Sequence, residues 1–171
     1  MSVKITESGE GFEVIEKAMK ALAQTKVYVG VPQEKSSRDG DEPTNAELMY
    51  IHTNGSPRLR IPARPIIEPA IESAKDTILS CLKDAAMAAA AGDESASMEF
   101  MNHAGMAAES AAKDRFGSPE LAPNAPITVE GGWMRNRISG KPFFVEGKKS
   151  AAPLIDEGSL SASVTYVVEK E

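Results

Sequence analysis

In Lys26-Val27-Tyr28-Val29-Gly30-Val31, valine returns at every second position. That two-residue period puts Val27, Val29 and Val31 on one face of a β-strand and Tyr28 on the other. Pro32, which has no amide hydrogen to give to a sheet, ends it. Upstream the period changes. Phe12, Ile15, Met19 and Leu22 fall at steps of three and four, predicting an amphipathic helix over 11–25 with its apolar face laid on a sheet. Near the other end Ser163 to Glu169 alternates again, with Val164, Tyr166 and Val168 on one face, and predicts a last strand. Strands at both ends with helical sequence between them predict an α+β domain. Its expected form is a small, mostly antiparallel sheet packed by the N-terminal helix and a long helical hairpin, with extended loops.

The hairpin is expected over 69–116. Ile71, Ala74, Ile78, Leu82 and Ala85 recur at helical steps to about Ala91, with Pro69 tolerable in the first turn. Gly92-Asp93 breaks the helix, and Phe100, Ala104, Ala107, Ala111 and Phe116 carry a second one with a narrow alanine stripe. Before the hairpin, Thr44 and Glu47 have capping-box spacing and predict a short helix over 45–53. Asn54-Gly55 ends it, because both residues tolerate the left-handed conformation of a helix stop. Residues 33–43 are charged and offer nothing to a core, so they read as a mobile loop. Ser56 to Pro65 holds three prolines with Arg58, Arg60 and Arg64 and reads as extended chain. Ile127 to Val129 reads as a short edge strand. Between Trp133 and Ser150, Arg135, Arg137, Lys141, Lys148 and Lys149 face only Glu146, in a basic loop or hairpin that also carries Phe143 and Phe144.

The 171 residues fit one domain, long enough to bury close to about 70% of the surface its unfolded chain exposes. A net charge of −6 argues against general DNA coating, which depends on clustered Lys and Arg neutralising phosphates. The single cysteine, Cys81, has no partner for an internal disulfide and reads as a small core residue of a reducing compartment. The N-terminal residues lack the basic and apolar regions of a secretion signal, and no apolar run is long enough to span a bilayer, so a soluble protein made in the cytoplasm is expected.

Catalytic constellations are missing from the sequence. His52 and His103 lack the short spacing that lets two ligands share an ion, and His52, beside a glycine turn, reads as a structural hydrogen-bonding residue. Asp156 sits in Asp-Glu-Gly and lacks both the neighbouring hydroxyl residue and the second aspartate of an aspartic protease. There is no phosphate-cradling glycine loop followed by Lys-Ser/Thr, and no Gly-x-Ser-x-Gly elbow. The expectation is a protein without enzymatic activity, cofactor or metal.

Four stretches carry a resemblance: Val29-Gly30-Val31-Pro32; Asn45-Ala46-Glu47-Leu48-Met49-Tyr50-Ile51-His52-Thr53-Asn54-Gly55; Ile61-Pro62-Ala63-Arg64-Pro65; and Pro153-Leu154-Ile155-Asp156-Glu157-Gly158-Ser159-Leu160-Ser161-Ala162-Ser163-Val164-Thr165-Tyr166. In this order the chain resembles the tail-completion and virion-morphogenesis proteins at the head–tail neck of tailed bacteriophages. It departs from their pattern at Ile66 for phenylalanine, Glu157 for threonine, and Thr53-Asn54 for Glu-Phe.

The resemblance implies a structural virion protein that forms a ring, a hexamer by analogy with the tail it caps, assembled in the host cytoplasm and carried at the neck. Its implied partners are copies of itself, the tail terminator or tail-tube protein, and the head–tail connector, with genomic DNA passing through the lumen without sequence-specific binding and no membrane involved. Asp156 and Gly158 are expected to form a turn that sends Leu160 inward and launches the strand bearing Tyr166, with His52, Gly55, Pro62 and Pro65 shaping the neighbouring loops. Arg64 is expected to pair with a carboxylate of its own or a neighbouring subunit, and Arg58, Arg60, Arg135, Arg137 and Lys141 to meet acidic patches of neighbours. Alternatives are a tail terminator that stops tube polymerisation and a DNA-contacting neck module using the two basic loops.

Overall fold

The computed structural model describes residues 9–38, 42–58, 60–136, 139–148, 152–155 and 158–170. In chain order the elements are α1 (Gly9–Ala23), β1 (Thr25–Gly30), a 3-10 turn (Gln33–Lys35), α2 (Asn45–Asn54), α3 (Ile67–Ser73), α4 (Lys75–Ala90) and α5 (Glu94–Asp114). Then come α6 (Pro126–Glu130), β2 (Gly132–Arg135), β3 (Pro142–Val145), α7 (Ser159–Ser163) and β4 (Thr165–Lys170). The fold is α+β, with both two-stranded sheets antiparallel. Packing divides the chain into two compact units, one from residues 1–30, 70–111 and 165–171, the other from 31–69 and 112–164.

In the first unit β1 pairs with β4, setting Val27 opposite Val168, Tyr28 opposite Val167, and Val29 opposite Tyr166. The expected alternation holds: Val27, Val29, Tyr166 and Val168 are half-buried while Tyr28 and Val167 are exposed. Helix α5 lies against this ribbon. Its Gly105 abuts the Tyr166 ring, and Glu109 Oε2 accepts from Thr165 Oγ1 at 3.0 Å and from the Tyr166 amide at 3.2 Å. Helix α1 packs on α4, with Ala18, Ala85 and Ala89 buried, and such short side chains let helix axes approach closely.

Two expectations change here. The stripe Phe12, Ile15 and Met19 is not buried on a sheet: these residues are 71%, 43% and 41% exposed. Among the described side chains of α1, Ala18 is the buried one, with Ala21 and Leu22 half-buried beside it. Periodicity identified an apolar stripe without saying what covers it. The helix expected from Pro69 to Ala91 starts at Ile67 and is divided at Ala74 (φ −97°, ψ 7°) into α3 and α4. Ser73 Oγ donates to the Ala70 carbonyl at 2.7 Å, a back-bond of the kind that bends helices. The backbone ladder still crosses the bend, through Ala74 N to Ala70 O and Ile78 N to Ala74 O, both 3.0 Å. At the predicted break, Gly92 takes φ 80° and Asp93 Oδ1 caps α5 by accepting from the Ala96 amide at 2.9 Å.

In the second unit the hydrophobic residues removed from solvent include Met49, Ile66, Phe116, Leu121, Leu160 and Val164. Residues 127–129, expected as a strand, lie in α6. Pro126 at the first helical position and Gly131 at φ 76° behind it start and stop one helical turn, and together they override the β-preference of Ile127, Thr128 and Val129. The basic segment forms the β2–β3 hairpin, with Trp133 opposite Phe144 and Met134 opposite Phe143. The last strand begins only at Thr165: Gly158, in the left-handed region at φ 81°, opens α7 before it. Leu160 is buried as expected.

Candidate partner-binding cleft

The cleft lies wholly within the second unit, and its first wall is α2. The Thr44–Glu47 capping box is complete: the Glu47 amide donates to Thr44 Oγ1 at 3.2 Å, and the Thr44 amide donates to Glu47 Oε2 at 2.8 Å. Segment 33–38, expected as part of a mobile loop, is tied to this helix start. The Asn45 amide donates to the Ser36 carbonyl at 2.8 Å, Asn45 Nδ2 to the Lys35 carbonyl at 3.2 Å, and the Ala46 amide to Ser36 Oγ at 3.2 Å. Ser36 and Asn45 are both buried. Charge composition argued for a free loop, but two small polar residues supplied the hydrogen bonds that hold it. Residues 39–41 lie outside the described residues.

At its C-terminus α2 stops on Gly55, whose amide donates to the Ile51 carbonyl at 2.7 Å with φ at 69°. The chain then doubles back. Ser56 and Ile61 exchange backbone hydrogen bonds of 2.8 and 3.0 Å, and the Arg64 amide donates to the His52 carbonyl at 2.6 Å. A Cβ at position 55 would lie 2.7 Å from the Ala63 nitrogen and 2.8 Å from the Ile61 oxygen, so only glycine fits the crossing.

Arg64 joins this loop to the far part of the unit. It is 7% exposed, and its Nε and Nη2 donate to the carbonyls of Ala122 and Pro123 at 2.7 and 2.9 Å. Within its own chain Arg64 thus pairs with two backbone oxygens rather than with a carboxylate, an arrangement that a planar guanidinium fork suits. Beyond that contact, Asn124 Nδ2 donates to the Ala152 carbonyl at 3.0 Å, and the Gly117 amide to the Pro153 carbonyl at 3.1 Å. Leu154 holds φ at 62°, an uncommon conformation for a residue with a Cβ. Ser163 Oγ donates to the Leu160 carbonyl at 2.7 Å and closes α7.

Among these segments lies an open cleft of about 1090 Å³, lined by α2, the Arg60–Arg64 loop, α6 and the start of α7. Its described charged walls carry Arg38, Arg60, Arg64 and Lys148 against Glu42, which lies 3.3 Å from Arg38. Such a lining favours an anionic group, such as a carboxylate of another polypeptide or a phosphate. His52 contributes a neutral ring: burial first, and then the Arg64 charge, pull its pKa below the ordinary value of 6.5. Its Nδ1 is buried with no hydrogen-bond partner among the described residues, so the structural hydrogen bond at this position comes from its backbone carbonyl. Among the described residues no cluster of His, Cys, Asp and Glu has the arrangement to hold a metal ion, and no helix is long and apolar enough to cross a membrane.

Of the residues singled out from sequence, the cleft gathers His52, Arg60, Pro62, Arg64, Gly158 and Leu160. Gly55 and Pro65 shape the loop beside it. Arg58 is exposed on the same loop, Arg135 and Lys141 lie on the β2–β3 hairpin, and Tyr166 belongs to the ribbon of the first unit. Arg137 and Asp156 lie outside the described residues. Sequence reading missed Ser36, Asn45 and Asn124, whose roles rest on backbone partners far along the chain. A polar residue directly after a capping threonine was the one available signal, and it pointed only to Asn45. Compared with families of known proteins, with curated proteins and with solved structures, the chain matches none.

Proposed function

We propose that this protein is a non-enzymatic component of the head–tail neck of a tailed phage, a tail-completion protein that forms a ring on the tail end and joins it to the capsid connector. The observation that carries the reading is a convergence. Three of the four stretches that resemble such proteins, through α2, through Ile61–Arg64 and through Leu154, Ile155 and Gly158–Leu160, meet around one cleft although about 100 residues separate the first from the last. The fourth ends β1, where Val29 pairs with Tyr166, the last residue of the third.

The motif residues that the structure describes act as shape. Gly55 permits a crossing, Arg64 clamps two carbonyls, and Leu160 fills a buried position. A subunit that must fit against neighbours needs such defined surfaces. The cationic cleft supports a partner that presents carboxylates, and a net charge of −6 suits a lumen through which DNA slides without being gripped.

Inactivating the gene in its phage tests the reading. Filled heads and tails of normal length that fail to join, with the protein located at the neck of wild-type virions by immunolabelling, are expected. Overlong tails would shift the assignment to the tail terminator, and normally joined particles would overturn it.

A further inference from the structure

Arg64 is a buried cation with no counter-ion among the described residues. It is 7% exposed, and two of its three guanidinium nitrogens donate to the carbonyls of Ala122 and Pro123. The third, Nη1, makes no hydrogen bond among the described residues, and no carboxylate there pairs with the guanidinium. Burial, with no negative charge set against it, pulls the Arg64 pKa below its ordinary value. The described buried side-chain nitrogens and oxygens without a partner are His52 Nδ1 and Arg115 Nε, so Nη1 keeps an accessible face. Arg64 lines the cleft, and that face opens into it. Buried charges in folded proteins are ordinarily paired. A guanidinium fixed by two carbonyls, with one nitrogen unused at a cleft wall, is preorganised for an anion brought from outside the chain.

The rim charges do not choose that anion, since Arg38 and Glu42 pair with each other at 3.3 Å. The rest of the lining does. Arg60, exposed and without an ion pair among the described residues, adds a second cation. Leu48, Ile61, Ile127, Met134 and Ile155 supply apolar walls to the same cleft. A phosphate, with several charged oxygens, needs several donors, and the amides at the start of α2 are already engaged by Ser36 and Thr44. One free guanidinium nitrogen beside apolar walls suits a single carboxylate with apolar neighbours. An open cleft of about 1090 Å³ has room for a short stretch of extended chain around it.

We infer that the cleft docks a peptide segment of a partner polypeptide, one carboxylate of which binds Arg64 Nη1 with Arg60 as the second cation, while apolar side chains flanking that carboxylate lie on the cleft walls. This rests on the cleft that the neck reading also uses and names the chemistry of the partner there. Its test needs only the pure chain, so its failure is separable from failure of the neck assignment.

The full chain is titrated with acetyl-leucyl-glutamyl-leucine amide and followed by proton–nitrogen NMR. The Arg64 side-chain signals and the amides of Ile61, Thr128 and Ile155 should shift saturably, with a Kd on the order of 1 mM. The glutamine counterpart of the peptide should bind about 10-fold or more weakly, because it lacks the charge. Inorganic phosphate should bind more weakly than the glutamate peptide. Arg64→Lys should weaken the glutamate peptide about 10-fold and Arg60→Gln about 3-fold. Arg60 is exposed, so R60Q keeps the fold even where R64K does not. The absence of a saturable shift, equal binding of the two peptides, tighter binding of phosphate, or an unchanged Kd in either folded variant would overturn the inference. So would shifts of the same amides on concentrating the chain alone, since a second copy would then fill the cleft.

Discussion

Gly105 of α5 lies so close under the ring of Tyr166 of β4 that a Cβ at 105 would sit 2.6 Å from the ring's Cγ. A glycine inside a helix is less favourable than alanine by about 1 kcal/mol, and here the ring's seat on the helix depends on it. In Gly105→Ala the gain in helix propensity opposes an overpacking cost of about 1–3 kcal/mol. The expected result is a net loss of about 1 kcal/mol in urea denaturation. With Tyr166→Ala as background the obstruction is gone, and the same substitution should stabilise by about 1 kcal/mol. An effect of the same sign in both backgrounds would show that the ring does not set the requirement.

Arg64 distinguishes a clamp from an ion pair. Lysine keeps the charge but has no planar fork to span the carbonyls of Ala122 and Pro123. Arg64→Lys should therefore lower stability by about 1–3 kcal/mol, nearly as much as Arg64→Ala, because both give up the two charge-assisted hydrogen bonds to these carbonyls. Hydrogen exchange should rise around 52–64 and 117–124. Wild-type stability in the lysine variant would mean that charge alone matters at this position.

The contrast between Thr44 and Arg64 explains what could be read in advance. A capping box is a local device, four residues long, and its partners are named by the sequence that contains them; α2 was legible with both its ends. The β1–β4 ribbon was legible for a similar reason, since a period of two assigns faces regardless of what lies opposite. The Arg64 partners are backbone oxygens 58 and 59 residues away, and every residue owns such an oxygen, so no side chain marks them. In 126–130 a proline and a glycine one turn apart outweighed three β-branched residues. For α1, hydrophobic spacing found the stripe, but the contact with α4 runs through alanines whose small size is as informative as their apolarity.

Gly55 and Gly92 both adopt positive φ, yet only Gly55 is crowded, by the Ala63 nitrogen and the Ile61 oxygen; a Cβ at 92 would meet nothing within 4 Å. Gly92→Ala should therefore lose only the conformational cost, about 1 kcal/mol. Gly55→Ala must also push apart backbone that is held by the Ser56–Ile61 bridge and should lose about 2 kcal/mol or more. Thermal unfolding of the two variants side by side checks this. Equal losses would show that the loop yields without strain.

His52 should give stability a pH dependence of defined sign. Its pKa is lower in the folded protein than the ordinary 6.5, through burial and then the Arg64 charge. On acidification the unfolded chain takes up this proton first, so between the two pKa values it binds more protons than the folded chain. Stability then rises with pH across that interval. The contribution is complete above 6.5, falls as pH drops below 6.5 toward the folded pKa, and changes no further beneath it. Glu47, held below its ordinary 4.5 by the amide and then the hydroxyl of Thr44, works in the same direction, but its contribution is lost only as pH falls below 4.5. Urea midpoints of the wild type and His52→Gln between about pH 5 and 8, the range where histidine titrates, separate the two. The difference between the curves should shrink or reverse in sign toward pH 5 as the wild type loses stability that the glutamine variant does not. Parallel curves throughout would show that the ring titrates in the folded protein as it does in water.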